Sequence, residues 1–186
     1  MTVGKKILLA LTGLAGSGKT EVAGISKQYG FTVLRLGDVT EKILVQKKLP
    51  LTPENEEYVR ENLRKQKGMA AFAIELVPHI EETFKTTHAI LLEGVRSWEE
   101  YEYVKKIFPS VLLIGVWAPP QIRYQRLEKR AVRPFTIEEA KERDVKELEH
   151  LHMGPTLALA DRFVINDSTL DILQQRVDEV IGKIMP

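Results

Sequence analysis

Five short stretches of the chain are apolar at nearly every position: KKILLALTG, FTVLRLGD, HAILLEG, SVLLIGVWA and DRFVIND. Runs this short and this uniformly apolar fit strands buried on both faces, as in a parallel sheet. Between them, apolar positions recur at helical spacing. Trp98, Tyr101, Val104 and Phe108 form one stripe, opened by Ser97 and Glu100 as a capping box. Thr136 and Glu139 make a second box, and Thr52-Pro53 gives an N-cap with proline at the first helical position. SGKTEVAGISKQYG reads as a helix closed by Gly30. Leu170, Leu173, Val177, Val180, Ile181 and Ile184 line one face of a last helix. Strands alternating with helices imply right-handed βαβ units, hence an α/β fold of three layers with helices on both sides of a parallel sheet. The stretch between the second and third strands, about residues 39–87, is too long for a simple crossover. It reads as two or three helices forming a flap above the carboxyl ends of the strands, where ligands of such sheets bind.

The 186 residues are expected to make one domain, residues 1–186, and 44% hydrophobic content suits a globular core. A net charge of +1, from 27 basic and 26 acidic residues, argues against a generic nucleic-acid or acidic-membrane binder, while leaving room for a local basic patch. The absence of cysteine excludes disulfides, thiolate zinc sites and cysteine nucleophiles, and fits a cytoplasmic protein. No apolar run is long enough to span a membrane. Lys5-Lys6 followed by ILLALTGLAGSG superficially resembles a secretory signal, but a buried strand running into a glycine loop explains it better.

That loop carries the strongest chemical signal. GLAGSGKT, Gly13 to Thr20, matches G-x-x-x-x-G-K-[ST]. Gly13, Gly16 and Gly18, with Ala15 and Ser17 between them, let backbone N–H groups turn inward around phosphate oxygens. The helix that begins near Gly18 points its free N–H groups at the anion. In this pattern Lys19 reaches the β- and γ-phosphates and Thr20 supplies a hydroxyl for Mg²⁺. A GTPase would need N-K-x-D, which is absent. A small kinase would need an acceptor site and arginines around the migrating charge. Arg123, Arg126 and Arg130 are spaced to share a helical face, with Arg133 and Arg143 following. They read either as a solvated basic face or as a lid, about residues 126–140, that closes on phosphates. Asp38 and Glu93 stand at strand ends. Asp38 suits a helix N-cap, a carboxylate for an acceptor hydroxyl, or both. Glu93 needs a partner, for which Arg96 or the metal qualifies.

Here the chain resembles the nucleoside monophosphate kinases, adenylate kinase above all, and their relative dephospho-coenzyme A kinase. It resembles more closely a family of archaeal proteins of unassigned function related to adenylate kinase. The resemblance runs nearly end to end, through GLAGSGKTEVA, GDV, LLEGVRSWEE, IRYQRLEKR, ERDVKEL and ALADRFVIND. It implies a P-loop NTPase fold, with a five-stranded parallel sheet in the order 2-3-1-4-5, an acceptor flap and a lid. It also implies that Gly13, Gly18, Lys19 and Thr20 hold phosphate, that Gly37-Asp38 and Glu93-Gly94 match Gly-Asp and Asp-Gly turns, and that Arg126, Arg130 and Arg143 match lid arginines. Asn166 falls in the region that meets adenine. The acceptor-gripping arginine three residues beyond the Gly-Asp aspartate is replaced by Glu41. Asp-Gly-x-Pro-Arg becomes Glu93-Gly94-Val95-Arg96. RAVRPFT lacks the acids that often follow the lid arginine in the archaeal relatives. Arg64 is the substitute for the acceptor phosphate.

The expected activity is Mg²⁺-ATP-dependent transfer to a small nucleotide-like acceptor. Lys19, Asp38, Arg126, Arg130, Arg133 and Arg143 would be catalytic, and Asp38, Arg64, Glu93 and Arg96 would lie at the acceptor. Thr20 and Glu93 would face the metal, Glu93 through water. Dephospho-coenzyme A is the second acceptor class. A different reading is an ATP-gated binding protein or ATPase acting with RNA or a protein partner. A monomer or homodimer without membrane association is expected. His150 and His152 are two apart, and Glu147-x-x-His150 is half of a carboxylate di-iron motif without a second copy, so no transition-metal site is expected. Trp98, Tyr101 and Tyr103 read as packing, and Ala118-Pro119-Pro120 as a strand end and helix start.

Overall fold

The computed structural model describes residues 6–185. The chain runs β1 (Ile7–Thr12), α1 (Lys19–Ser26), β2 (Thr32–Arg35), α2 (Gly37–Gln46), α3 (Pro53–Lys67), α4 (Ala71–Thr83) and β3 (Ala89–Glu93). It continues through α5 (Trp98–Ile107), β4 (Leu112–Trp117), α6 (Pro120–Glu128), α7 (Ile137–Glu149), α8 (Met153–Ala158), β5 (Arg162–Ile165) and α9 (Leu170–Gly182). All five expected strands are present; Lys5, in the signal-like stretch, lies outside the described residues. The strands form one parallel sheet in the order β2-β3-β1-β4-β5.

Strand alternation divides the core in two. Leu8, Ala10, Ile90, Leu92 and Leu113 face the side packed by α3, α4 and α5. Leu9, Leu11, Leu91, Ile114 and Val116 face the side packed by α1 and α9. Burial on both faces is why the strands read as continuous apolar runs.

The helix signals act locally as expected. Ser97 Oγ accepts from Glu100 N at 3.0 Å, and the Glu100 carboxylate accepts from the Ser97 N–H at 3.3 Å. Thr136 and Glu139 repeat the arrangement at α7, and Thr52 caps α3 with Pro53 in the first turn. Helix α1 is shorter than expected. It stops at Ser26, whose hydroxyl bonds back to the Ala23 carbonyl at 2.7 Å, and a 3₁₀ turn of Lys27–Tyr29 reaches Gly30. Gly30 adopts φ 80°. The two histidines, two apart in sequence, do not share a helix. His150 is the C-cap of α7, and His152, at φ 52°, starts the unanticipated helix α8.

The order of the sheet positions the site. β1 lies between β3 and β4, so its carboxyl end opens at the switch between the two halves of the sheet. The pairing sets Leu11 beside Glu93 and Thr12 beside Gly115. Both Gly94 N and Val95 N donate to the Leu11 carbonyl, at 3.2 and 3.0 Å, which ties the chain after β3 to the end of β1. Helices α2, α3 and α4 fill the expected insertion.

Ser97 joins this frame to the insertion, because its buried hydroxyl also donates to the Met69 carbonyl at 3.0 Å. Ser97→Ala removes the cap and leaves that carbonyl unpaired. Urea unfolding is expected to show a loss of about 1–3 kcal/mol with an unchanged m-value.

Candidate functional site

The phosphate loop follows β1 and is built around glycine. Gly13 has φ 150° and Gly18 φ 96°. A Cβ on Gly13 would stand 2.4 Å from the Val116 carbonyl oxygen, and one on Gly18 would stand 2.1 Å from Asn166 Nδ2. Side chains are therefore excluded by contact as well as by backbone conformation. Gly18 caps α1 without any side-chain hydrogen bond, so the first-turn N–H groups are left for a ligand.

Lys19 folds into the loop that precedes it. Its Nζ donates to the Gly13 carbonyl at 2.6 Å and the Leu14 carbonyl at 3.1 Å. Burial lowers its pKa to about 8; Glu147 and Glu93 pull it back up, while Arg96 and Arg143 push it down. Those four groups come from α7, β3 and the loop before α5, so one charge-coupled cleft surrounds this ammonium. Ser17 Oγ is buried inside the loop and has no hydrogen-bond partner among the described residues. Thr20 Oγ1 donates to Glu93 Oε1 at 2.6 Å, which brings together the two residues expected at the metal. A hydroxyl beside a carboxylate suits Mg²⁺, a hard cation that takes few protein oxygens and keeps water and phosphate oxygens for the rest. The glycine cradle, the free helix N-terminus and this pair therefore fit a Mg²⁺-nucleotide.

The arginines separate into different roles. Arg123 was expected to share a phosphate-facing stripe with Arg126 and Arg130; instead it is buried. It makes a two-pronged pair with Asp144 at 2.8 and 2.6 Å and donates to the carbonyls of Ala15 and Ala118. Helix α6 ends before Arg130, which is exposed in the following loop and makes no ion pair among the described residues. Arg126 reaches the Gly16 carbonyl at 3.5 Å and Asn166 Oδ1 at 3.1 Å. Asn166 Nδ2 donates to the Ser17 carbonyl at 2.8 Å. The buried amide of Asn166 thus buttresses the phosphate loop rather than presenting itself to a base, and Ala15 and Gly16 are held through their carbonyls.

Arg133, at φ 56°, pairs across the cleft with Glu56 of α3 at 2.6 Å. Lys146 of α7 pairs with Glu57 beside it. Arg143 Nε donates to Glu147 Oε1 at 3.1 Å, with its guanidinium over the Phe135 ring. Arg96 lies 3.9 Å from the same Glu147 oxygen. Arg96 or the metal was expected as the partner of Glu93; besides Thr20, its partner among the described residues is Arg35, at 3.8 Å, not Arg96. Asp38 lies in the first turn of α2, not at its N-cap, and is half-exposed beside Arg35 at 3.6 Å. Arg64 packs on the Phe72 ring at 4.9 Å, with its Nε buried and unpartnered. Burial lowers its pKa, and the nearby Arg96 and Arg60 add to the shift against a counter-pull from Glu100. Glu100, fully enclosed, has a pKa raised by burial.

Several residues of this cleft lie outside the sequence reading, among them Arg35, Glu56, Arg60 and Glu147. Glu147 had been weighed only as part of a metal motif. Arg60 had a legible signal, because Glu56, Arg60 and Arg64 recur every four residues along one face of α3.

A model of the AAA domain matches residues 9–147. The UPF0200 protein of Pyrococcus abyssi is 35% identical over 183 residues, which cover 96% of this chain and 97% of that protein. The chain belongs to the UPF0200 family. Its fold is that of P-loop kinases. Shikimate kinase from Bacteroides thetaiotaomicron aligns with a TM-score of 0.64 at 15% identity, covering 95% of this chain and 98% of that one. Dephospho-CoA kinase from Campylobacter jejuni aligns with a TM-score of 0.59 at 16% identity, covering 95% and 96%. At such identities the likeness is one of fold. The UPF0200 chain shares its fold with these kinases, and among its described residues no helix is long and apolar enough to cross a membrane.

The Lys19 environment has a measurable consequence. Phosphate oxygens beside the ammonium would raise its pKa above the ligand-free value near 8. At about pH 8.5 nucleotide binding then makes Lys19 take up as much as about three-quarters of a proton, and at about pH 6.5, where Lys19 is already charged, almost none. Titration calorimetry in buffers of different ionisation enthalpy checks this; Lys19→Met is expected to abolish the uptake.

Proposed function

We propose that this chain is a Mg²⁺-ATP-dependent phosphotransferase acting on a small nucleotide-like acceptor. The observation that carries this reading is the convergence of charge on Lys19. Cations and carboxylates from the phosphate loop, β3, the loop before α5, α3 and α7 meet in one cleft at the carboxyl ends of the strands. Mere nucleotide storage would need the loop but not a second cluster of arginines facing it.

In this reading Gly13 to Thr20 and the first turn of α1 hold the triphosphate, with Lys19 turning from the loop carbonyls toward the β- and γ-phosphates. Thr20 and Glu93 hold Mg²⁺, which when bound neutralises phosphate charge during transfer. Residues 126–140 act as a lid and residues 39–87 as an acceptor flap. Arg133 and Arg143 neutralise the migrating group, and Arg126 keeps the loop in shape through Asn166. Glu41 leaves α2 without an arginine for the acceptor. Arg60, Arg64 and Arg96 take that role: burial lowers the pKa of Arg60 and of Arg64, the charge of Arg96 adds to both shifts, and Arg64 Nε, unpartnered among the described residues, is a donor awaiting an anion. Dephospho-coenzyme A, the substrate named for the Campylobacter jejuni neighbour, is an acceptor of this class.

A second reading, an ATP-gated binding protein, draws on the Arg133–Glu56 and Lys146–Glu57 pairs, which couple the lid region to α3. Nucleotide binding would then serve to move a surface.

A transfer assay with Mg²⁺-ATP separates the two. The acceptors are AMP, CMP, GMP, UMP and dephospho-coenzyme A, with products read by mass. The expected result is one phosphorylated acceptor, lost in Lys19→Ala. Arg64→Ala should raise the acceptor KM by about 10-fold or more with kcat little changed, the size of one lost charge-assisted contact. Tight ATP binding with only slow ADP release across the panel would contradict the kinase and favour the gated binder.

A further inference from the structure

Four carboxylates face the cleft on either side of Lys19, and in each a single oxygen carries the side chain's hydrogen bonds. Glu93 takes the Thr20 hydroxyl on Oε1 and faces Arg35 with Oε2. Glu56 Oε2 takes Arg133 and lies 3.8 Å from Arg60. Glu100 Oε2 takes the N–H groups of Arg96 and Ser97, inside the capping box. Glu147 is 4% exposed, on the last turn of α7. Its Oε1 is fixed by Arg143 at 3.1 Å and faced by Arg96 at 3.9 Å, whereas its Oε2 makes no hydrogen bond among the described residues. Its charge acts on Lys19, which marks the donor side, and it faces Arg96, which marks the acceptor side. Asp38, the other carboxylate at a strand end, is half-exposed beside Arg35.

A carboxylate held in that place has opposite effects on the two kinds of acceptor. An acceptor phosphate would bring further negative charge against it, and like charges at short range in a dry cleft repel strongly. A hydroxyl would donate to it and lose its proton to it. We propose that Glu147 is the general base of this site, and that the acceptor is an alcohol which also carries an anionic group.

This rests on the phosphotransferase reading and narrows it. The anionic group lies against Arg60, Arg64 and Arg96, and the hydroxyl points at Glu147 Oε2. The hydroxyl oxygen attacks the γ-phosphorus of a nucleoside triphosphate. The new bond joins that oxygen to phosphorus, and the bond from phosphorus to the β–γ bridging oxygen breaks. The electron pair leaves with the nucleoside diphosphate, and the hydroxyl proton passes to the Glu147 carboxylate. The product is a phosphate ester, not a phosphoanhydride. Water can enter as the smallest hydroxyl acceptor and gives slow hydrolysis by the same route.

The test compares wild type, Glu147→Gln and Glu147→Asp on the full chain. Gln keeps an oxygen for Arg143 but cannot take a proton; Asp keeps the charge and withdraws it by one methylene. Melting curves and ATP affinity report on folding and on the nucleotide site. The acceptors are AMP, CMP, dephospho-coenzyme A and water, and phosphorus NMR assigns each product as ester or anhydride. The expected result is an ester product. Glu147→Gln should lower kcat by about 100-fold for both the ester and water reactions, with ATP affinity and acceptor KM within a few-fold of wild type. Glu147→Asp should fall between. An anhydride product, or a Glu147→Gln enzyme working at the wild-type rate, overturns the proposal and leaves the phosphotransferase reading standing. Absence of Lys19-dependent turnover with every hydroxyl, water included, overturns it too. Failure to bind ATP at all is instead the failure of the phosphotransferase reading itself.

Discussion

A partly buried ammonium group, with two backbone carbonyls as its hydrogen-bond partners, is the constraint around which this cleft is arranged. Lys19 pays for its burial with a depressed pKa. It stays charged near neutrality because carboxylates on two other elements face it and because the Gly13 and Leu14 carbonyls accept from it. A phosphate offers the same ammonium a far better partner, since a charge-assisted bond is roughly twice as strong as a neutral one. Phosphate oxygens would therefore compete favourably with the Gly13 and Leu14 carbonyls for this ammonium.

The same logic extends outward. Arg143 and Arg96 share Glu147, Arg133 and Arg60 share Glu56, and Arg35 lies between Asp38 and Glu93. Each pairing lets cations gather at the strand ends before any anion arrives. Behind them a further set of contacts holds the frame. Arg123 joins the Ala15 carbonyl to Asp144 of α7, and Asn166 joins the Ser17 carbonyl to Arg126. Through Arg123 and Asp144, the helix that carries Arg143 and Glu147 is tied to the phosphate loop itself. Movement of α7 and a change in the loop would therefore be felt together.

The strands, capping boxes and phosphate loop were legible because each is a local pattern: two-sided burial, a hydroxyl followed by a carboxylate, glycines at fixed spacing. What was not legible depended on distance in the sequence. Spacing placed Arg123 on one face with Arg126, and the face was correct for a helix, but nothing in the sequence shows that Asp144 waits beneath it. Asn166 follows β5 as expected, yet its partners are 149 and 40 residues away. Glu147 is separated from Arg96 by α5, β4 and α6, so its place beside two arginines follows only from the order of the strands. Arg60 could have been found, because its four-residue spacing from Glu56 and Arg64 is a helical signal in its own right.

The most direct test of this account is a crystal structure with Mg²⁺ and a non-hydrolysable ATP analogue. The expected result has Lys19 Nζ detached from the Gly13 and Leu14 carbonyls and bonded to β- and γ-phosphate oxygens, with Thr20 and Glu93 beside the metal. Lys19 still bonded to the loop carbonyls, with the triphosphate bound elsewhere, would contradict the account.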